Sequence, residues 1–331
     1  MPLWVVASSA TEDDADEVPF ASAIARRGDE VGYWPLTMNP PLSTPSTVAA
    51  VVVDYNAGTI LKEAIESLLG DDVSSLVVVE NGARGSVARA LGELATSVTI
   101  VNPGRNGGFG SGVNRGVAAL PNDASVVLVC NPDIALYAGA TQALRLALEA
   151  HPTWGIVGPT IVSPNGELYA SVRRFPSLLD AAGHALLGVI SPRNRFTRRY
   201  RSAATRRDGG VDWVSGACFA IRRDVFEILG GFDESFFMFA EDMDLCWRCH
   251  EAGWTVGVAP RARVLHHEGV TRQSKRYRMI IEHHRSALRF QAKTTRHAKA
   301  LLLPLAAAVL GLRLTIALAR EATRRHGDRQ S

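Results

Sequence analysis

Continuous apolar runs alternate along the chain with amphipathic segments, in the order typical of an α/β protein. Residues 49–53 (AAVVV) form an unbroken apolar run, as expected for a strand buried on both faces of a sheet. Residues 58–70 then carry apolar side chains at helical spacing and end at a glycine, which predicts a helix. Further strands are predicted at residues 76–79, 98–101 and 125–130, and further helices at residues 111–120 and 138–150. This alternation predicts an α/β fold with a mostly parallel, doubly wound sheet.

The chain has 331 residues, enough for one large domain with an appendage. Residues 1–47 show little pattern and end in a proline-rich stretch, so we predict an N-terminal extension of unclear role. Met38 lies just before that stretch, and an over-extended start and a short ordered extension both fit the pattern. Residues 48–270 are predicted to form the main domain and residues 271–331 a basic, apolar helical tail.

The tail differs from the rest of the chain in charge. Residues 261–331 contain 16 Lys and Arg against 4 Asp and Glu, although the net charge of the whole chain is only +3. A basic segment suggests an anionic partner, either nucleic acid or a membrane surface. No aromatic stacking platform accompanies these charges, so nucleic acid is not expected.

An apolar segment within the tail favours the membrane. Residues 301–318 are mostly apolar, but Arg313 interrupts them, and a central charge disfavours a spanning helix. Basic flanks favour a helix lying in the interface of an anionic leaflet, ahead of a helix that packs in a homo-oligomer. No secretory signal precedes the acidic run at residues 12–17, so we expect a cytoplasmic protein that is peripheral at the inner face of the membrane.

Polar residues follow each of the four predicted strands. They are Tyr55 and Asn56, Glu80 and Asn81, the stretch from Asn106 to Gly110, and the stretch from Asn131 to Asp133. Ligands of doubly wound sheets bind at the carboxyl ends of the strands, so four such groups predict a binding site better than ordinary turns do. Asp133 offers an oxygen ligand for Mg²⁺ or Mn²⁺ against a nucleotide diphosphate, although Asn-Pro-Asp is also a good turn.

The glycine-rich stretch at residues 106–112 does not match the dinucleotide-binding pattern G-x-G-x-x-G. Both frames fail, because Val113 or Arg115 stands where the third glycine is required. The glycines would instead let the backbone approach a ligand closely, with Asn106 and Asn114 adding hydrogen-bonding groups. An NAD-dependent oxidoreductase is therefore a disfavoured alternative.

An apolar run at residues 236–240 leads into Glu241 and Asp242, where a helix is predicted to begin. Carboxylates stabilise a helix N-terminus through the helix dipole. One of the two could equally act as a general base that takes a proton from a hydroxyl group. These residues alone leave both interpretations open.

Taken together, these motifs resemble the family-two inverting glycosyltransferases of the GT-A fold, over residues 51–289. In chain order the matching motifs are Tyr55-Asn56, Glu80-Asn81-Gly82, Asn106 to Gly110, Asn131-Pro132-Asp133, Ser215-Gly216-Ala217, Gly230-Gly231-Phe232-Asp233, Glu241-Asp242-Met243-Asp244-Leu245 and His266. Each motif is weak by itself, but the ordered set is specific.

The resemblance implies sugar transfer from a nucleotide diphosphate with Mg²⁺ or Mn²⁺ as cofactor. It implies Asp242, with Glu241 beside it, as the catalytic base, Asp133 as a metal ligand and His266 as an additional metal ligand. The donor-binding residues that it implies are Tyr55, Asn56, Glu80, Asn81, Asn106, Gly108, Phe109, Gly110, Asn114 and Asn131.

The second half of the chain more narrowly resembles the rhamnosyltransferases of bacterial cell-wall assembly, at residues 173–178, 191–194, 264–267 and 283–286. This resemblance implies a dTDP-rhamnose donor and a GlcNAc acceptor linked to a polyprenyl diphosphate. The acceptor-binding residues that it implies are Arg173, Arg174, Ser215, Gly216, His283, His284 and Arg285. Seven arginines between residues 193 and 207 are expected to form a solvated loop or a loop over the acceptor diphosphate and lipid headgroups.

Two positions depart from the family pattern. Asp54 stands where the family usually has Thr or a small residue, and Glu80 stands where it usually has Asp. Asp54 would add a negative charge near an anionic donor. A catalytically silent, membrane-associated sugar-binding subunit therefore stays as an alternative function.

Overall fold

The computed structural model of the protein describes residues 24–27, 30–33, 46–177, 210–267 and 276–327. The chain divides into two compact units, Met1–Met38 and Asn39–Ser331. In the first unit, strands β1 (Ile24–Arg27) and β2 (Glu30–Tyr33) pair in antiparallel orientation. The sheet and the helices of the predicted main domain all belong to the second unit.

A mixed sheet forms the centre of the second unit. The strands of this unit are β3 (Val48–Asp54), β4 (Ser75–Glu80), β5 (Thr99–Val101), β6 (Val126–Cys130), β7 (Ile134–Leu136), β8 (Trp154–Val162), β9 (Val172–Arg173), β10 (Trp213–Val214), β11 (Cys218–Arg222) and β12 (Thr255–His266). Eight of them form the sheet in the order β5-β4-β3-β6-β11-β8-β12-β7, and β9 pairs with β10. The pairs β5/β4, β4/β3, β3/β6 and β8/β12 are parallel, whereas the pairs of β11 and β7 are antiparallel.

Helices cover both faces of this sheet. They are α1 (Ile60–Leu69), α2 (Ser86–Leu91), α3 (Phe109–Ala118), α4 (Ala140–Ala150), α5 (Arg223–Ile228), α6 (Glu241–Glu251), α7 (Arg276–Thr294) and α8 (Leu303–Gly327). Val52 of β3 packs on one face in the same core as Leu61 of α1, whereas Val51 packs on the other face with Val113 of α3. Every residue of β3 is buried, which explains its continuous apolar run.

The predicted α/β fold with a mostly parallel, doubly wound sheet is confirmed. Each of the four strands and three helices predicted from periodicity is present, with bounds that differ by at most two residues. The predicted helical tail is also present, as α7 and α8. The predicted domain boundaries at 47/48 and 270/271 differ from the division at Met38/Asn39 in the structure. Helix α7 belongs with the sheet because Phe290, 1% exposed, packs into its core.

The apolar part of the tail is exposed. Residues Ala300–Thr323 form a helical segment long and apolar enough to cross a membrane, with a mean hydropathy of 2.2, and its most apolar window is not buried. Leu301 is 82% exposed and Leu305 is 63% exposed. Length and composition alone are weak evidence for a span, because the buried core helix of a soluble protein and a signal sequence pass the same test.

Candidate active site

A cleft of about 520 Å³ lies at the carboxyl ends of the parallel strands, where the sequence predicts the ligand site. Its lining includes fourteen of the predicted site residues. They are Tyr55, Asn81, Asn106, Gly108, Phe109, Asn131, Asp133, Arg173, Ser215, Gly216, Glu241, Asp242, His266 and His283. The other seven are absent from the lining, and their contacts are described below.

Helix α6 begins at Glu241 and places Asp242 on the wall of the cleft. The Asp242 Oδ2 atom accepts the N–H of Gly216 at 2.7 Å, and Oδ1 accepts the N–H of Met243 at 2.8 Å. Burial raises the pKa of Asp242 above its ordinary value of 3.8, although these N–H groups and the Arg173 guanidinium oppose the shift. A carboxylate held in one orientation with a raised pKa is suited to accept a proton.

Glu241 is buried beside the predicted base. Its Oε2 atom has no hydrogen-bond partner in the part of the chain that the structure describes. Burial, and then the charge of Asp242, raise the pKa of Glu241 to about 8. The raised pKa favours the protonated form of Glu241, whereas Asp242 accepts two backbone N–H groups that favour its carboxylate form.

Asp133 and His266 meet at one edge of the cleft, because Asp133 follows β6 and His266 ends β12. The Asp133 Oδ1 and His266 Nε2 atoms are 3.2 Å apart, and the ring of Tyr169 packs edge-on against the imidazole. Two ligands about 2.1 Å from one Mg²⁺ or Mn²⁺ would lie roughly this far apart. No cluster of three or more His, Cys, Asp or Glu suited to a metal occurs among the described residues. These two side chains thus fit a cation completed by phosphate oxygens and water.

The wall of the cleft that carries the predicted donor-binding residues is built around Gly108. The Asn81 amide donates to the carbonyl of Gly108 at 2.9 Å, and the Asn106 Oδ1 atom accepts the N–H of Gly108 at 2.9 Å. Gly108 has φ +97°, and a Cβ atom there would lie 2.0 Å from the carbonyl oxygen of Phe237, so only glycine fits. The Asn81 Oδ1 atom is buried and finds no partner within the described ranges, so it is available to a ligand N–H or O–H group.

Glu80 does not line the cleft. Its carboxylate accepts the N–H groups of Gly85 and Val87, at 2.9 and 3.0 Å, and the side-chain amide of Asn102 at 2.7 Å. Burial raises the pKa of Glu80, but these bonds outweigh that effect and the net shift is downwards. The carboxylate therefore stabilises the turn after β4. This arrangement differs from the predicted contact with the nucleotide.

Asp54 and Asn56, at the end of β3, also accept hydrogen bonds from the backbone N–H groups of turns. Asp54, 1% exposed, accepts the N–H groups of Asn56 and Ala57 at 3.1 and 3.0 Å. The Asn56 Oδ1 atom accepts the N–H of Ala83 at 2.8 Å. The negative charge of Asp54 is thus buried and hydrogen-bonded away from the cleft lining. Asn56, predicted as a donor-binding residue, is likewise absent from the cleft lining.

Gly110 and Asn114 support the site from α3. Asn114 accepts the N–H of Phe232 at 2.8 Å and donates to its carbonyl at 3.0 Å. A Cβ at Gly110 would lie 2.8 Å from the Phe232 Cβ, so a larger residue would displace that side chain. Both predicted donor residues therefore pack the segment after residue 230 instead of lining the cleft.

Three predicted acceptor residues also lie outside the lining. The Arg174 carbonyl accepts the indole N–H of Trp213 at 3.0 Å. The His284 ring donates from Nδ1 to the carbonyl of Ile280 at 2.7 Å, and the exposed Arg285 pairs at 3.3 Å with Glu282, which lines the cleft. The arginines between residues 193 and 207 lie outside the described residues.

The cleft also contains residues that the sequence analysis missed. Arg278 of α7 stacks its guanidinium 4.4 Å from the ring centre of Phe237, much as the predicted Arg173 lies 5.3 Å from the ring centre of Trp213. Tyr169 contacts His266, as described above. Arg278 belongs to the tail, which the sequence analysis treated as a membrane segment because of its net charge. No local motif distinguishes it from the neighbouring arginines.

The sheet, the cleft at its strand ends and the acidic groups around it agree with the resemblance to glycosyltransferases. The model of the family described as "Glycosyltransferase like family 2" matches residues 45–287, so the chain belongs to this family. The chain is 35% identical over 254 residues to the N-acetylglucosaminyl-diphospho-decaprenol L-rhamnosyltransferase of Mycobacterium tuberculosis, covering 73% of this chain and 83% of that one. It is 25% identical over 261 residues to the rhamnosyltransferase WbbL of Escherichia coli, covering 74% and 93%.

Solved structures show the same fold. The mannosyltransferase PcManGT from Pyrobaculum calidifontis, in complex with GDP-Man and Mn²⁺, has a TM-score of 0.52 at 18% identity, covering 88% of this chain and 83% of that one. GalNAc-T7 with UDP, GalNAc and Mn²⁺ has a TM-score of 0.53 at 14% identity, covering 81% and 55%. The predicted GT-A fold is confirmed, and the family match sets the oxidoreductase alternative aside.

Proposed function

We propose that this glycosyltransferase moves L-rhamnose from dTDP-rhamnose to a GlcNAc unit linked to a polyprenyl diphosphate, with inversion and with Asp242 as the base. The observation that carries the mechanism is the carboxylate of Asp242, oriented by two backbone N–H groups on the wall of the cleft. The donor and acceptor come from the mycobacterial relative, whose name specifies L-rhamnose and GlcNAc-diphospho-decaprenol.

In the proposed single displacement, the Asp242 carboxylate takes the proton of an acceptor hydroxyl as that oxygen attacks the anomeric carbon. The bond from that carbon to the nucleotide diphosphate breaks, and the nucleotide leaves with its electron pair. Asp133 and His266 would hold Mg²⁺ or Mn²⁺, which would neutralise charge on the leaving diphosphate. The unpartnered Asn81 oxygen supports recognition of the donor in the same cleft.

The acceptor side is proposed to include Arg173, Arg278 and His283. All three line the cleft, and both guanidinium groups lie over aromatic rings that hold them in place. Guanidinium groups bind diphosphate oxygens well.

The exposed segment of residues 300–323 is proposed to lie on an anionic membrane surface, which would make the protein peripheral at the cytoplasmic face. Its exposed leucines are Leu301, Leu302, Leu305 and Leu312, and Arg296 and Arg320 flank them. Sedimentation with vesicles of phosphatidylglycerol and phosphatidylcholine tests this. Leu301→Glu with Leu305→Glu should abolish sedimentation, whereas Ile228→Glu, at a 61% exposed position on α5, should not. Equal sedimentation of both variants would contradict the proposal.

The deciding experiment measures nucleotide release by purified protein. The donor is dTDP-rhamnose, the acceptor a short polyprenyl-diphospho-GlcNAc analogue, and the assay is run with Mg²⁺, with Mn²⁺ and with EDTA. We expect release of dTDP that requires both metal and acceptor. Release only with another nucleotide sugar would retain the mechanism and contradict the rhamnose assignment. No release from any donor in a panel would favour the catalytically silent sugar-binding subunit.

A further inference from the structure

A charge network connects the helix of the predicted base, α6, to helix α7. Asp244 lies two residues after Asp242 and is completely buried. Its Oδ2 atom is 2.8 Å from Nε of Arg248, and its Oδ1 atom is 2.7 Å from Nζ of Lys293. A buried carboxylate is costly unless it is paired, so Lys293 contributes directly to this part of the site.

Lys293 also binds the other end of the same segment. Its Nζ atom is 2.7 Å from Oδ2 of Asp233, and this pairing helps to lower the pKa of Asp233 to about 2. One ammonium group therefore ties together both ends of residues 233–244. Residues 237–242 of that segment line the cleft.

Two further contacts come from the same face of α7. The Ser286 hydroxyl donates to the carbonyl of Met238 at 2.8 Å, and the Arg289 guanidinium donates to the carbonyl of Ser235. Residues 286, 289 and 293 are spaced by three and four positions, so they share one side of the helix. This side of α7 fastens residues 233–244 at four points.

The segment requires such support because its backbone is strained. Phe239 has φ +67° and Ala240 has φ +62°, and neither is a glycine. Two consecutive residues of this kind cost free energy that the surroundings must offset. They immediately precede α6, so they determine the direction from which Asp242 enters the cleft.

We infer that Lys293 is a positioning residue for the transfer step: it holds residues 233–244 in the conformation that directs Asp242 into the cleft. Lys293 lies beyond residues 45–287 that the family model matches, so the family match does not assign it this role. The inference rests on the proposed role of Asp242 as the base.

The test compares Lys293→Met, Lys293→Arg and the control Lys62→Met, whose ammonium is exposed in α1 and 3.9 Å from Glu66. Moving a catalytic group by about 1 Å can lower the reaction rate by about 100-fold. Lys293→Met should therefore lower kcat by about 10- to 100-fold while the donor KM changes less than about threefold. Lys293→Arg should recover most of the loss, and Lys62→Met should match the unsubstituted protein. Unchanged kcat in folded Lys293→Met would overturn the inference.

A second measurement does not depend on activity. Hydrogen–deuterium exchange of peptides covering residues 233–244 should be faster in Lys293→Met, with exchange in β3 unchanged. If the unsubstituted enzyme proves inactive with every donor, the proposed function fails, and this exchange still decides whether Lys293 holds the segment. Should Lys293→Met not fold, Asp233→Asn removes one of the two pairings and should give the same local change to a smaller degree. Exchange equal to that of the unsubstituted protein would overturn the inference.

Discussion

The carboxylates of this protein behave differently in two neighbouring regions. At the ends of β3 and β4, Asp54 and Glu80 accept backbone N–H groups from the turns that follow them. On the walls of the cleft, oxygens of Asp133 and Glu241 are buried without a hydrogen bond to any described residue. The same type of side chain therefore stabilises a turn in one region and is open to a ligand or a proton in the other. The difference lies in the donors nearby, because residue type is the same in both regions.

The largest effect is expected for Asp242→Asn. The amide keeps the size of the side chain but cannot accept the proton, and general base catalysis contributes about 10²- to 10⁴-fold. Acceptor-dependent nucleotide release should fall by about 10³-fold while donor binding, followed by calorimetry, changes little. The natural comparison is Asp54→Asn, whose side chain is outside the cleft and whose substitution should affect stability more than kcat. Turnover near that of the unsubstituted enzyme in Asp242→Asn would remove Asp242 from the mechanism.

The second effect concerns the pair of Asp133 and His266. If they bind a cation, Asp133→Asn should weaken Mn²⁺ binding by at least about tenfold. Substitution of residues that only hydrogen-bond to a metal ligand already lowers metal affinity by about 10- to 100-fold. Electron paramagnetic resonance of free Mn²⁺ measures this without reference to activity. His267→Gln is a suitable control, because His267 is next in sequence but pairs with Glu63 instead. Equal Mn²⁺ affinity in Asp133→Asn and in the control would exclude the pair as the metal site.

The sequence predicts the sheet and the place of the cleft well, because both follow from local patterns. The apolar runs of β3 and β6 mark buried strands, and polar residues after them mark the strand ends. The hydrogen bonds that Glu80 accepts from the turn after β4 could not be predicted, because their N–H donors lie five to seven residues later in the chain.

The contribution of α7 to the site could not be predicted either, but the reason is different. Lys293 and Arg278 belong to a basic segment, and sequence reasoning treats such a segment by its net charge. Their roles depend on which lysine or arginine meets a buried carboxylate or an aromatic ring across the fold. The partners, Asp244 and Phe237, lie about 40 to 50 positions away in the chain, so no local spacing reveals them.

A smaller effect, on stability, is expected for Glu80→Gln. The amide nitrogen of Gln would face N–H groups from which the carboxylate now accepts hydrogen bonds. Leaving such a buried group unpaired lowers the free energy of unfolding by about 1–3 kcal/mol. Urea unfolding should show this loss, while kcat and the donor KM stay within about threefold because the carboxylate does not line the cleft. A large rise in the donor KM with unchanged stability would instead support the contact with the nucleotide that the sequence predicts.

A change in the pH dependence of stability is expected for Glu241→Gln. The pKa of Glu241 is raised from 4.5 to about 8, first by burial and then by the charge of Asp242. Between these values the folded protein keeps a proton that the unfolded chain releases, so stability falls as the pH rises through this window and levels off above it. Glutamine has no such proton to lose.

Glu241→Gln should therefore gain stability relative to the unsubstituted protein as the pH rises from 5 to 8. Urea unfolding at each pH measures the difference, and Glu66→Gln, at an exposed position of α1, provides the control. Parallel stability curves for Glu241→Gln and the unsubstituted protein would mean that Glu241 is ionised in the cleft. Both carboxyl groups at the start of α6 would then be ionised, and Asp242 would share the role of base with Glu241.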